Sequence, residues 1–246
     1  MEYVDYIHKT IYIMACKCGT TTISHMLNML NNDSNVTHNT VDINNPKYKK
    51  IIIMRKCVID RFLSGFYEDL FNNSCYNNMN ITFNNYLLFL HKCYKEKLPN
   101  VGNLFIYNGL DMPVWFGNCS NVSSNITDAC GNFCSHIASQ KYAICHVLNN
   151  ITCTNIEIIE LNELHILLPN IKKCNVKPKV TKIPVKFDNI SNMLLPDIKS
   201  NRIIIAKELL NENQKQIILD IYKEDVDFLM NLENKYLYVK NINYKY

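Results

Sequence analysis

The chain has 246 residues, a formal net charge of +4, and 48% hydrophobic against 20% charged residues. That length supports a sizeable core and reads as one medium globular domain over residues 1–246. The mild positive charge suits a small anionic ligand. Without a long Lys/Arg stripe interleaved with aromatics it gives no case for nucleic acid, and no window approaches the ~20 apolar residues of a membrane span.

The first nine residues, MEYVDYIHK, are acidic and lack an apolar core, so they do not read as a signal peptide and the expected compartment is the cytoplasm. Next comes Thr10–Ile23, TIYIMACKCGTTTI. An apolar, β-rich run (Ile11, Tyr12, Ile13, Met14) leads into a turn holding Lys17, Cys18 and Gly19. Hydroxyls at Thr20, Thr21 and Thr22 follow, and then a helical pattern with Ile23, Met26, Leu27 and Leu30 on one face. Strand, tight turn and helix in that order aim backbone N–H groups and the positive end of the helix at one point, where Lys17 adds a full charge. The chemistry expected there is phosphate or sulfate binding. The same residues would also serve as an ordinary strand–helix connection capped by a Thr. A Walker A loop needs a Lys after its last Gly, whereas here Lys17 precedes Gly19.

An Asn-rich polar stretch runs to Asn45. Ile51–Met54 is a continuous apolar run, as expected of a strand buried on both faces. Arg55 sits at its carboxyl end, and a helical pattern carries Val58, Phe62, Gly65 and Phe66 inward, out to Asn72. In open α/β sheets ligands bind outside the carboxyl ends of the strands, so Lys17 and Arg55 fall at one edge. Phe83–Lys95 reads as a helix. Leu98–Ser135 is long, poorly periodic and rich in Gly, Asn and Ser, the mark of a functional or mobile loop. It contains Trp115, either a core anchor or a platform for a sugar ring.

Cys119, Cys130, Cys134, His136, Cys145, His146 and Cys153 cluster in sequence. Eleven cysteines is an odd number. With no signal peptide, free thiols are the default, and no paired C-x2-C spacing completes a zinc site, so no metal is expected. Ile156–Leu161 reads as a buried strand, Glu163–Ile171 as a helix, Lys172–Ser200 as loop, and Asn211–Leu232 as a closing amphipathic helix. Alternating strands and helices argue for an α/β fold with a parallel sheet. The excess of Asn, Ile, Lys and Tyr over Ala and Gly is the bias of an A/T-rich genome, such as those of large DNA viruses and some protists.

The ordered pair of segments resembles the sulfotransferases that use 3′-phosphoadenylyl sulfate (PAPS), particularly the branch acting on carbohydrates. In that family a P-K-x-G loop followed by hydroxyl residues holds the 5′-phosphosulfate. Lys17, Gly19 and Thr20–Thr22 match it, with Cys16 at the Pro position. A second segment binds the 3′-phosphate, with an Arg at a strand end and then Arg, Ser and an aromatic in the following helix. Arg55, Arg61, Ser64 and Phe66 match it, with Lys56 and Cys57 where the family has Asp-Pro. Two further patterns extend the likeness. His136-Ile137-Ala138-Ser139-Gln140 stands where many members have H-x-x-P-Q, and Ile218, Tyr222, Asp225 and Leu229 follow a C-terminal helix pattern of the family.

The resemblance implies a P-loop-like central parallel sheet flanked by helices. It also implies sulfuryl transfer from PAPS, leaving 3′,5′-diphosphoadenosine (PAP), to a hydroxyl of an acceptor such as a glycan. Lys17 would stabilise the leaving phosphate. Cys18, Gly19 and Thr20–Thr22 would hold the 5′ end, and Arg55, Arg61 and Ser64 the 3′-phosphate. His136 would be the general base, with Glu68 and Asp69 as alternatives. Two rivals are a P-loop-like nucleotide kinase or NTPase and a nucleotide-binding relic of the fold that has lost its chemistry.

Overall fold

The structure is a computed structural model. It describes residues 2–6, 8–15, 17–20, 23–24, 41–72, 76–77, 80–95, 104–107, 110–113, 140–141, 144, 150–152, 156–164 and 190–236. The chain divides into two compact units, each assembled from separated stretches. Unit 1 comprises Met1–Lys56, Gln140–Lys177 and Asp225–Tyr246, and unit 2 comprises Cys57–Ser139 and Pro178–Glu224. The sequence reads as one domain, because nothing in its composition marks these boundaries.

Unit 1 is built on a four-stranded sheet in the order β1 (Glu2–Asp5), β2 (Thr10–Met14), β3 (Lys49–Met54), β6 (Ile156–Glu160). β2, β3 and β6 run parallel, whereas β1 forms an antiparallel edge on β2. The expected α/β class with a mostly parallel sheet is therefore present. β2 is buried along its whole length, and β3 at all but its first residue. That burial on both faces is why these strands are unbroken apolar runs rather than alternating ones. The registers Met14↔Ile53 and Met54↔Glu160 bring the carboxyl ends of all three parallel strands to one edge.

In unit 1, Lys50 and Asn44 find polar partners close to the ladder. Lys50 is fully buried, and its Nζ donates to the carbonyls of Asn45 (2.7 Å) and Tyr48 (2.8 Å). Asn44 donates from Nδ2 to the Asn150 carbonyl and accepts from the Thr152 N–H, tying the turn before β3 to the approach to β6.

Unit 2 contains the helices α1 (Val58–Asn72), α2 (Phe83–Lys95), α3 (Leu195–Ser200) and α4 (Glu212–Ile221), and the hairpin β4 (Leu104–Tyr107)–β5 (Leu110–Pro113). Its core is aromatic: the Phe66 ring lies 5.3 Å from Phe83, 5.4 Å from Tyr86 and 6.1 Å from Phe62, centroid to centroid. Such spacings add to area burial through ring-quadrupole contacts. α4 starts at a reciprocal capping box, in which Asn211 Oδ1 accepts from the Gln214 N–H (2.8 Å) and Gln214 Oε1 accepts from the Asn211 N–H (3.1 Å).

Several expectations change. The first residues form a strand, β1, which was not expected. Leu98–Ser135 is not all loop, since it holds the β4–β5 hairpin. The expected loop over Lys172–Ser200 ends in α3, entered by Pro196 in its first turn. The closing helix is two, α4 and α5 (Lys223–Tyr236), separated at Tyr222, whose ψ of 22° leaves the helical range. The segment expected as a helix from Glu163 begins with a 3-10 turn over Leu161–Glu163. Among the described residues no helix is long and apolar enough to cross a membrane.

Candidate functional site

The turn leaving β2 adopts an unusual backbone. Lys17 has φ of 65° and Gly19 has φ of 91°, whereas Cys18 between them stays out of the left-handed region. Left-handed conformation costs a residue bearing a Cβ roughly 1–2 kcal/mol, so Lys17 is held there by its surroundings. Alternation of this kind is the backbone pattern of a nest, which can leave N–H groups open to an anion; here the Cys18 N–H is taken by the turn itself, so the open ones are those of Gly19 and Thr20.

Cys18 N–H closes the turn on the Ala15 carbonyl (3.3 Å), and Ile23 N–H donates to the Gly19 carbonyl (2.9 Å), which opens the helical turn at Thr20. The N–H groups of Gly19 and Thr20 have no acceptor among the described residues. Gly19 is required on two counts. Its φ suits glycine, and a Cβ there would stand 2.6 Å from Leu161 Cδ1, in the turn that follows β6. Lys17, Gly19 and Thr20 are half-buried, and Cys18 is fully buried.

One strand over, Arg55 immediately follows β3 and is half-buried. Its backbone is held on both sides by a single side chain. The Arg55 N–H donates to Gln140 Oε1 (2.9 Å), and Gln140 Nε2 donates to the Arg55 carbonyl (2.9 Å). The same Oε1 accepts from Cys18 Sγ (3.0 Å). Gln140 is itself fixed from behind, because its N–H and that of Lys141 donate to the two carboxylate oxygens of Asp225 (2.8 and 2.9 Å). Both residues are helical, yet their N–H groups bond a side chain, which marks them as the first turn of a helix that Asp225 caps from α5. Gln140 and Asp225 are both buried. Two patterns read separately in the sequence thus meet in one hydrogen-bonded unit.

Arg61 and Ser64 belong to unit 2, on α1. Arg61 is 1% exposed, and none of its three guanidinium nitrogens has a hydrogen-bond partner among the described residues. A buried, unpaired cation is costly and calls for an anion. Ser64 is half-buried, one turn further along α1. Cys57, at the family's Pro position, is half-buried, and burial pushes its thiol above the usual range despite a backbone hydrogen bond from Asp60, so at neutral pH it is a thiol. Of the alternative bases, Glu68 accepts from Asn72 Nδ2 (3.0 Å) on the surface of α1, and Asp69 lies beside it on the same helix.

Thr21, Thr22, His136, Trp115 and the cluster Cys119, Cys130, Cys134, Cys145, His146 and Cys153 lie outside the described residues. Among the described residues no group of three or more His, Cys, Asp and Glu side chains could hold a metal ion. In comparisons with known proteins, no family model, no curated protein and no solved structure matches the chain.

Proposed function

We propose that the chain is a PAPS-dependent sulfotransferase acting on a hydroxyl acceptor, with a carbohydrate as the acceptor class. The observation that carries this reading is the Lys17–Gly19 nest at the end of one parallel strand, with Arg55 at the end of the next. A donor with a 5′-phosphosulfate and a separate 3′-phosphate needs two cationic anchors, and the family resemblance assigns Lys17 to the first and Arg55 to the second. Arg61 and Ser64 are further 3′-phosphate ligands on the same resemblance. The Arg61 guanidinium, buried and without a hydrogen-bond partner among the described residues, supports an anionic ligand on α1.

In the reaction the bond from sulfur to the 5′-phosphate oxygen breaks and a bond from sulfur to the acceptor oxygen forms. The acceptor proton goes to a base, and PAP leaves. Positioning and charge stabilisation supply most of the catalysis in such a transfer. Lys17 neutralises charge growing on the departing phosphate oxygen. The Gly19 and Thr20 N–H groups hold the phosphosulfate. His136 takes the proton, a contribution of about 10²–10⁴-fold for a general base.

A nucleotide kinase or NTPase is the second reading. It is disfavoured because Lys17 precedes Gly19, and because the strand beside β2 ends in the cation Arg55, where magnesium-dependent P-loop enzymes carry a carboxylate. The test is transfer of radiolabelled sulfate from PAPS to a panel of glycans, phenols and peptides. Label is expected in a glycan. PAP binding with no transfer to any acceptor would favour the non-catalytic relic instead.

A further inference from the structure

We infer that Gln140 is the positioning residue of the anion site, acting through the backbone of Arg55 and the thiol of Cys18, with Asp225 holding it in place. This rests on the donor-binding reading above and names the residue that sets that site's geometry. Four facts converge. Arg55 lies one residue beyond the last rung of the β3–β6 ladder, Met54↔Glu160, so among the described residues no strand partner continues to fix it. The Gln140 carboxamide supplies that partner, because an amide side chain offers one acceptor and one donor in the geometry of a peptide group. Its orientation is dictated by the partners: Arg55 N–H and Cys18 S–H both need an acceptor, and the Arg55 carbonyl needs a donor. Cys18 is the middle residue of the Lys17–Gly19 nest, so one side chain couples that nest to the strand end bearing Arg55.

The chemistry also restricts the residue type. Glu would turn an acceptor towards the Arg55 carbonyl and place a negative charge beside a site for anions. Asn is one methylene shorter. Asp225 extends the coupling outward: its two oxygens take the Gln140 and Lys141 N–H groups, so the carboxamide is anchored at its own backbone. Ligand-orienting outer contacts of this sort decide affinity without touching the ligand.

The test compares wild type with Gln140→Met, which keeps the volume and removes all three side-chain hydrogen bonds. Two readouts are taken well below the melting temperature. The first is hydrogen exchange at the Arg55 amide, against Ile52 and Ile53 within β3. The second is affinity for PAP and for inorganic sulfate. Exchange at Arg55 should quicken and both affinities fall by about tenfold or more, the equivalent of one or two net hydrogen bonds, while Ile52 and Ile53 keep their protection. Unchanged anion affinity in folded Gln140→Met, or unchanged exchange at Arg55, overturns the inference.

Should that variant fail to fold, Asp225→Asn applies the same readouts, since an amide cannot accept from both N–H groups through its nitrogen. A smaller loss in the same direction is expected, and wild-type values for both readouts overturn the inference. A wild type that binds sulfate but not PAP would refute the sulfotransferase reading alone. Gln140 would still be judged on sulfate affinity and on Arg55 exchange.

Discussion

Lys17 sits in a backbone conformation that most residues avoid, at the point where the proposed transfer develops charge. If Lys17 acts on the transition state more than on bound PAPS, Lys17→Ala lowers kcat more than it raises the donor KM. A change confined to KM would make it a simple phosphate clamp. A far-UV spectrum and a melting curve must show the variant folded for the comparison to count. Arg61 offers a second residue-scale test that needs no turnover. A buried guanidinium with no hydrogen-bond partner among the described residues destabilises the folded state until an anion arrives. Arg61→Met should therefore melt no lower than wild type in sulfate-free buffer, and should gain less from added sulfate, with chloride at matched ionic strength as the control. Equal gains in the two proteins would show that Arg61 meets no anion.

At the scale of elements, α1 carries Arg61 and Ser64 and is fastened by Tyr67. The Tyr67 hydroxyl donates to the Ile205 carbonyl (3.1 Å) and accepts from the Ile205 N–H. Burial drives its phenol well above the ordinary range, so it remains a donor across the working pH range. Tyr67→Phe leaves the Ile205 backbone groups short of a partner and should cost about 1–3 kcal/mol in urea unfolding. A change under about 0.5 kcal/mol would mean that water replaces the hydroxyl.

β2, β3 and the helix α1 after β3 were legible in the sequence because their apolar runs are long and end at charged or turn residues, whereas the helical pattern through Met26, Leu27 and Leu30 lies outside the described residues. The closing helix, expected from Asn211, does start there, with Asn211 as the cap of α4, and α2 was legible from its period. β1 was not, because four residues carry too little pattern. The β4–β5 hairpin had a usable signal in Asn108-Gly109, the dipeptide that favours a two-residue β-turn, but the surrounding Gly and Asn content masked it. The break at Tyr222 carries no Gly or Pro, so the closing pattern read as one helix. The clamp of Gln140 on Arg55 spans 85 positions in the chain, a partnership that neither periodicity nor spacing encodes.

At the scale of the whole molecule, the central claim is that a donor bearing a 3′-phosphate is the ligand. Isothermal calorimetry with PAP, ADP and ATP tests it most directly, with Arg55→Ala alongside. PAP should bind more tightly than ADP by about tenfold or more, since one charge-assisted contact is worth roughly 1.5–3 kcal/mol, and Arg55→Ala should erase most of that difference. Equal affinity for PAP and ADP, or an ATP affinity above both, would contradict the account.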